Sequence, residues 1–252
     1  MLKKFLTGRA SGASEMSFMD HLEDLRWTIG RSLIAIALVG VVLFIEKGFL
    51  FDTLILGPMH TDFWTYRMMC LLGQKMNMGD SMCIGSIDFT LTSIELTSQF
   101  MNHLKAAFTV GLIITFPYIL WELWKFVSPA LYSKEKSKVR GVVLAGSMLF
   151  YIGLLFGYYL IAPFTVIFLG SYRVSDLVPN TISLESYMET VSGLSLTSGL
   201  VFEFPLVIYF LALLGLITPK SLRQFRKIAL VVCLFLAAII TPSPDMFSQT
   251  IV

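Results

Sequence analysis

Long apolar runs separated by short charged segments are the main pattern of this chain. A membrane-crossing helix needs about 20 mostly apolar residues, and four runs reach that length. A fifth run is shorter but almost purely apolar, and a sixth begins near the end of the sequence and is incomplete. The predicted spans are 27–46, 104–126, 140–162, 190–214, 228–240 and 246–252. This pattern predicts an all-α polytopic membrane protein with six transmembrane helices, the last of them truncated.

The segments around these spans predict the domain organisation. Residues 1–15 are polar and basic and are expected to form a disordered tail, and residues 16–252 are expected to form one membrane domain. Pro117 should interrupt the second span and Pro163 should end the third, because proline cannot donate within a helix. In the long segment after the first span, residues 87–100 are expected to form an amphipathic helix.

Composition supports a membrane protein, and the basic residues orient it. The chain is 56% hydrophobic and 14% charged, whereas soluble domains are near 45–50% apolar with about a quarter of their residues charged. The net charge of +2 is too small to indicate nucleic acid as a partner. Fourteen of the 19 Lys and Arg residues fall in three segments: 3–31 around the start of span one, 125–140 around the link between spans two and three, and 220–227 between spans four and five. The positive-inside rule then places the N terminus in the cytoplasm.

The cysteines agree with this topology. Cys70 and Cys83 lie in the first exoplasmic loop, and Cys233 lies alone in the fifth span. A pair of this spacing in an oxidising compartment predicts a disulfide. A metal site is the weaker alternative, because no Cys-x-x-Cys pattern or neighbouring His accompanies the pair.

Motifs of enzymes are missing from the sequence. It contains no Walker A loop, no Gly-x-Ser-x-Gly and no His-Glu-x-x-His. The three histidines are scattered, so the sequence predicts no metal site. We expect a protein that is not an enzyme and that needs no cofactor.

Acidic side chains in unusual places are the candidates for function. Asp20, Glu23 and Asp24 share one face of a helix that leads into span one. Either they complement the positive end of the helix dipole, or they form an acidic site on the cytoplasmic side. Glu135 is the lone acid of the basic link between spans two and three. It is either a solvated loop charge or a second carboxylate of the same site, where both would suit guanidinium groups.

Glu203 and the last turn present polar groups at or within the membrane. A charged residue near the centre of a span costs about 3 kcal/mol, and Pro205 should kink the helix around Glu203. The carboxyl group is therefore expected either to be neutral and bonded to a freed carbonyl, or to face a polar cavity or a partner. Asp245 is placed to cap the sixth helix after Pro244, and Gln249, one turn later, would then face either a neighbouring helix or a partner.

These residues resemble the motifs of one family, TatC, the multispanning subunit of the twin-arginine protein translocase. The resemblance covers residues 17–252 in order. It rests on His-Leu-Glu-Asp-Leu-Arg at 21–26; on Phe126, Pro129, Ala130, Leu131, Tyr132 and Glu135; on Phe202, Glu203 and Pro205; on Thr241, Pro242, Asp245, Ser248 and Gln249; and on Pro58 in the first periplasmic loop. Asp24 stands where the family usually has Glu. Residues 67–86, which contain both cysteines of the predicted disulfide, look like an insertion.

The resemblance implies a concave, glove-like receptor in the bacterial cytoplasmic membrane. It would bind twin-arginine signal peptides of folded cargo through Asp24 and Glu135, with Arg26 and Phe126 shaping the same cytoplasmic site. Glu203 would present a polar group inside the concave face. The last two short spans, with Thr241, Asp245 and Gln249, would dock the single-span partners TatA and TatB. Pro58, Pro129 and Pro205 would have structural roles. Self-association, contact with membrane lipids and export driven by the proton gradient are also implied.

Two other functions fit parts of the sequence. A proton-coupled small-molecule transporter would use Glu203 as its proton carrier, but the sequence shows no internal repeat. An intramembrane protease would need paired aspartates or a metal motif within the spans, and neither is present. The acidic cluster before span one favours the receptor over both.

Overall fold

The computed structural model describes residues 18–75, 83, 89–127, 139–173, 175, 180–213, 215, 217–218, 223–224, 226–227 and 231. Seven α-helices lie in these ranges: α1 (Phe18–Ile45), α2 (Trp64–Lys75), α3 (Ser98–Val127), α4 (Val139–Phe156), α5 (Ala162–Ser171), α6 (Leu184–Phe202) and α7 (Phe204–Leu213). Two π-helical segments, Phe49–Ile55 and Gly157–Ile161, and a 3-10 turn, Gly57–Met59, complete the helical elements. The two strands are β1 (Thr90–Thr92) and β2 (Thr181–Ser183).

Four stretches of the described chain are long and apolar enough to cross a membrane. They are His21–Ile45, Ser98–Val127, Gly141–Ser171 and Leu184–Ala212. Each overlaps one of the first four predicted spans, so the polytopic helical fold class is confirmed. The predicted tail 1–15 lies outside the described residues, as do the last two predicted spans apart from Val231.

The helices that cross the bundle pack closely at glycines. At Gly111 on α3, a Cβ atom would lie 3.2 Å from both the amide nitrogen of Gly40 and the carbonyl oxygen of Ile36 on α1. At Gly153 on α4, it would lie 2.7 Å from the carbonyl oxygen of Ser198 on α6. Because these neighbours are backbone atoms, a larger residue would push the helices apart. Small residues of this kind allow the close helix packing that stabilises bundles in lipid.

Two prolines lie inside long helices, and both sequence predictions about them are wrong. Helix α3 runs through Pro117 without a break, and α4, the second π-helical segment and α5 continue past Pro163 to Ser171. Proline leaves the carbonyl four residues earlier without its helical donor. Here a hydroxyl from another element replaces that donor: Tyr151 donates to the carbonyl of Ile113 at 3.1 Å, and Thr65 donates to that of Tyr159.

Pro205 has the predicted effect on its helix. Helix α6 ends at Phe202, Glu203 adopts a turn, and α7 begins at Phe204. The two helices therefore form one interrupted span, with Glu203 at the interruption.

The segment after α1 is held by tyrosine hydroxyls. Tyr158 donates to the carbonyl of Leu54 at 2.6 Å, and Tyr187 donates to that of Ile55 at 3.0 Å. Tyr66 donates to the carbonyl of the fully buried Pro58 at 2.8 Å, and burial raises the pKa of this phenol. Three backbone carbonyls without helical partners are thus satisfied by side chains from α2, α6 and the second π-helical segment.

A short parallel ladder replaces the amphipathic helix predicted for 87–100. Thr90, Leu91 and Thr92 of β1 pair with Thr181, Ile182 and Ser183 of β2, and α3 begins only at Ser98. The residues from Phe89 to Thr92 alternate apolar and polar side chains, which is the period of a strand. The helix prediction was wrong because the partner strand is about 90 residues away in sequence. The ladder joins the two connections at this end of the bundle.

Candidate functional site

The basic end of the bundle is the end where α1 begins and where α3 and α7 finish. It carries Arg26 and Lys125, and the opposite end, which we call the loop end, carries both strands. The ring of His21 stacks on that of Phe126, with centroids 4.2 Å apart and planes 19° from parallel. This contact brings the motif at 21–26 and the end of α3, which are about 100 residues apart in sequence, into one site.

Charged side chains next to this stack point outward. Asp24 lies one turn after His21 on α1, and Glu23, Asp24 and Arg26 are all exposed. None of the three forms an ion pair with another described residue. The carboxylate of Asp24 is therefore available to a cationic ligand beside the His21–Phe126 stack.

Deeper in the bundle, one turn before Phe126 on α3 and nearly three turns after His21 on α1, a second polar contact joins the same two helices. Nη2 of Arg31 on α1 lies 3.4 Å from Oε2 of Glu122 on α3, an ion pair by charge and distance, since Oε2 has no regular hydrogen bond to a described residue. The hydroxyl of Tyr118 donates to Oε1 of Glu122 at 3.3 Å. The Glu122 side chain is only 10% exposed, whereas that of Arg31 is 43% exposed. Sequence reasoning missed Glu122, although it is the sole acid of the second predicted span. The same signal had identified Glu203 in the fourth.

Glu203 occupies the break between α6 and α7 and is 8% exposed. It faces α4, where a Cβ atom at Gly146 would lie 3.3 Å from Oε2 of Glu203 and within 3.2 Å of Leu120 and Leu206 side-chain atoms. Neither carboxyl oxygen has a hydrogen-bond partner of regular geometry among the described residues, although the backbone of Phe150 lies near enough to interact. The glycine therefore makes room for a carboxyl group that the described residues leave largely unsatisfied.

A cavity of about 530 Å³ lies in the loop-end half of the bundle. Its walls come from the first π-helical segment, α3, α4, the second π-helical segment and α6. Lys105 and Glu189 line the cavity. Nζ of Lys105 lies 2.5 Å from Oε1 of Glu185 and 3.3 Å from Oε1 of Glu189. Neither Asp24 nor Glu203 lines this cavity, so it is separate from the predicted site residues.

The predicted disulfide is present. Cys70 on α2 is bonded to Cys83, and their Cα atoms are 4.4 Å apart. Among the described residues, no group of three or more His, Cys, Asp or Glu side chains is placed to hold a metal ion. Five predicted site residues, Pro129, Glu135, Thr241, Asp245 and Gln249, lie outside the described residues.

These features define a class of protein: a multi-pass helical membrane protein that presents acidic and aromatic side chains at one end of its bundle. Residues 20–252 match the family described as Sec-independent protein translocase protein (TatC). The chain belongs to this TatC family, whose members are protein translocase components rather than enzymes. The family resemblance seen in the motifs is thereby confirmed.

Individual relatives cover most of the chain. TatC of Blattabacterium sp. subsp. Periplaneta americana is 35% identical over 240 residues, which are 95% of this chain and 90% of that protein. TatCy of Bacillus subtilis is 32% identical over 239 residues, covering 95% and 84%. Two crystal structures of the twin arginine translocase receptor TatC superpose with TM-scores of 0.68 and 0.63 at 28% identity. They cover 92% of this chain and 92% and 90% of theirs.

Proposed function

We propose that this chain is the receptor core of a twin-arginine translocase and binds signal peptides that carry paired arginines. The observation that carries the proposal is the contact between His21 and Phe126, beside the exposed Asp24, which forms no ion pair with another described residue. Both helices contribute motif residues to one surface, and that surface carries an exposed carboxylate. A guanidinium group can make two parallel charge-assisted hydrogen bonds to a carboxylate.

The second carboxylate of the proposed site is Glu135, and Arg26 and Pro129 belong to the same cytoplasmic region. Glu135 and Pro129 enter the proposal through the resemblance, since they follow α3 in the link that begins at Phe126. Two carboxylates on this surface would match two arginines of one peptide. We expect Glu135→Ala to weaken peptide binding more than Glu203→Ala does, because Glu203 lies buried in the break between α6 and α7.

The basic end is proposed to face the cytoplasm. Lys and Arg concentrate on this side of the predicted spans, and such a bias orients membrane proteins. The protein would then lie in the bacterial cytoplasmic membrane with its N terminus inside. Cys70 and Cys83 would lie in the oxidising periplasm, in agreement with their disulfide.

The polar groups within the spans are proposed to contact partner subunits. Glu203 is buried with little hydrogen bonding to the residues that the structure describes, which suits a carboxyl group whose partner is on another chain. By the family resemblance, Thr241, Asp245 and Gln249 would contribute to docking the single-span subunits TatA and TatB. Export would be driven by the proton gradient, with self-association and membrane lipids completing the assembly.

Site-specific photocrosslinking tests the recognition step. A photoreactive residue at Met19, which is 70% exposed near the basic end, should crosslink to a twin-arginine signal peptide. One at Val41, which is 60% exposed but about six turns further along α1, should not. Replacing the peptide's arginine pair with lysines should abolish most of the Met19 product. Asp24→Asn should reduce it about tenfold or more, because a charge-assisted hydrogen bond is lost.

Equal crosslinking by the arginine and lysine peptides would contradict the recognition proposal. A proton-coupled transporter predicts that result, together with proton uptake that depends on Glu203.

A further inference from the structure

Helices α1 and α3 are antiparallel and touch at several places along their length. The contacts run from the loop end to the basic end: Phe44 with His103 (ring centroids 4.0 Å apart), Gly40 with Gly111, Arg31 with Glu122, and His21 with Phe126. From the first contact to the last, each helix advances by 23 residues, or about 35 Å at 1.5 Å per residue. The two helices therefore keep one register over the whole thickness of the bundle.

The pair of Arg31 and Glu122 is the polar contact in this series. No other hydrogen bond or ion pair joins the side chains of α1 and α3 among the residues that the structure describes. Both partners are held in orientation, because Nε of Arg31 donates to the carbonyl of Trp27 at 3.3 Å and Tyr118 donates to Glu122 at 3.3 Å. The guanidinium is thereby turned back along α1, towards the turn that carries Asp24.

The contact between Arg31 and Glu122 matters because, within the described part of the chain, α1 has little else to fix it. Only 17% of the residues in its apolar membrane-spanning stretch are buried, and the helix packs chiefly against α3. Stacked rings and apolar surfaces tolerate sliding, whereas an ion pair with oriented partners favours one register. A slip of one residue would rotate α1 by about 100°. That rotation would carry Asp24 away from Phe126.

We propose that Arg31 and Glu122 are positioning residues for recognition of the signal peptide: their ion pair sets the register of α1 on α3 and so holds Asp24 beside Phe126. The inference rests on the proposed function, in which Asp24 and Phe126 contact the arginine pair. Neither Arg31 nor Glu122 needs to touch the peptide. The role depends on opposite charges at the two positions, and it is therefore independent of which position carries which sign.

Charge reversal and its compensation test this role in the purified full-length protein. We expect Arg31→Glu and Glu122→Arg each to weaken binding of a twin-arginine signal peptide about tenfold or more, since each leaves like charges facing one another. The double variant should bind within about threefold of the unchanged protein. The milder Glu122→Gln should fall between these values. Lys105→Glu is the matched control, because it reverses a charge paired across α3 and α6 at the loop end and should leave binding unchanged.

A distance measurement makes the test independent of the peptide. Spin labels at Met19 and Lys125, both exposed near the basic end, should give a narrow distance distribution in the unchanged protein and in the double variant. Each single charge reversal should broaden or shift it. If the unchanged protein does not prefer peptides with paired arginines, the proposed function is wrong. The spin-label distances still test whether Arg31 and Glu122 set the register of α1 on α3.

Three results would overturn the inference. One is a single reversal that changes neither the spin-label distances nor peptide binding. Another is a folded, monodisperse double variant that remains as impaired as the single ones. The third is tighter peptide binding by Arg31→Gln, which would mean that Arg31 competes with the peptide's arginines for Glu122.

Discussion

The hydroxyl of Tyr151 should stabilise the protein because Pro117 has no amide hydrogen. Pro117 leaves the carbonyl of Ile113 without its helical donor, and Tyr151 on α4 donates to that oxygen at 3.1 Å and more weakly to Ile114 at 3.4 Å. In Tyr151→Phe, the carbonyl would face apolar surroundings unpaired. An unsatisfied buried acceptor costs about 1–3 kcal/mol, and hydrogen bonds between membrane helices average about 0.6 kcal/mol with a maximum near 1.7. We expect a loss of about 1 kcal/mol in the free energy of unfolding.

Testing Tyr151→Phe in a protein that lacks Pro117 shows whether the hydroxyl replaces the missing amide. In Pro117→Ala, the new amide at position 117 can donate to Ile113, so the tyrosine hydroxyl is no longer required there. Tyr151→Phe should then cost less than half as much, which gives a coupling free energy of at least about 0.5 kcal/mol between the two sites. A direct effect of the lost hydroxyl on packing would instead be the same in both backgrounds.

Reversible unfolding in mixed detergent micelles measures all four members of this cycle. Tyr209→Phe is a suitable control, because Tyr209 is 45% exposed and makes no hydrogen bond to another described residue. It should have little effect with either residue at position 117. Additive effects of Tyr151→Phe and Pro117→Ala, within error, would refute the idea that the hydroxyl replaces the missing donor.

Two further predictions concern the disulfide and the buried carboxyl group. Cys70→Ser should lower the free energy of unfolding by about 2–4 kcal/mol under oxidising conditions. The free energy of unfolding of this variant should no longer depend on reductant. An unchanged unfolding midpoint would show that the loop needs no crosslink. Glu203→Leu should raise the unfolding free energy in detergent by about 1–2 kcal/mol, because a carboxyl group with little hydrogen bonding is costly to bury, while Glu203→Gln should change it by less than about 1 kcal/mol. Destabilisation by Glu203→Leu would mean that the carboxyl has a stabilising partner within the chain.

The existence of the first four spans could be predicted from sequence because each needs only one local property, a long apolar run. What the sequence did not give was the fate of the prolines within those runs. Pro117 and Pro163 read as breaks, since the missing helical donor is a local fact. The hydroxyls of Tyr151 and Thr65 that replace the donor come from other elements, and no local pattern identifies them.

Non-local pairing also explains the error at residues 87–100. The side chains from Phe89 to Thr92 suit a strand, but a three-residue strand is too short to stand out and has no stability by itself. Its partner, β2, lies beyond α3, α4 and α5 in the chain. A prediction that ignores tertiary pairing therefore favours a helix for this stretch.

The candidate site was predictable only in part, because its residues come from elements that are far apart in sequence. Asp24 and Phe126 emerged from motifs, and their neighbourhood required the antiparallel packing of α1 on α3 that the structure provides through His21. Arg31 was counted only as one more positive charge near the N terminus. Its significance depends on which residue stands opposite it on α3, and a single sequence does not contain that information.

Glu122 and Glu203 are each the sole acid of a predicted span, and the structure houses them in opposite ways. Oε1 of Glu122 accepts a hydrogen bond from Tyr118. Oε2 has no regular hydrogen bond to a described residue but lies 3.4 Å from the Arg31 guanidinium, so the charge of Glu122 joins α1 to α3. Glu203 stands at a helix break beside Gly146, with no regular hydrogen bond to a described residue. A carboxylate with internal partners would lose them on binding a ligand, whereas one without them gains from any polar group brought to it. On the proposed function, Glu122 therefore fixes the geometry of the recognition end, and we propose that Glu203 takes its polar contact from outside the described residues.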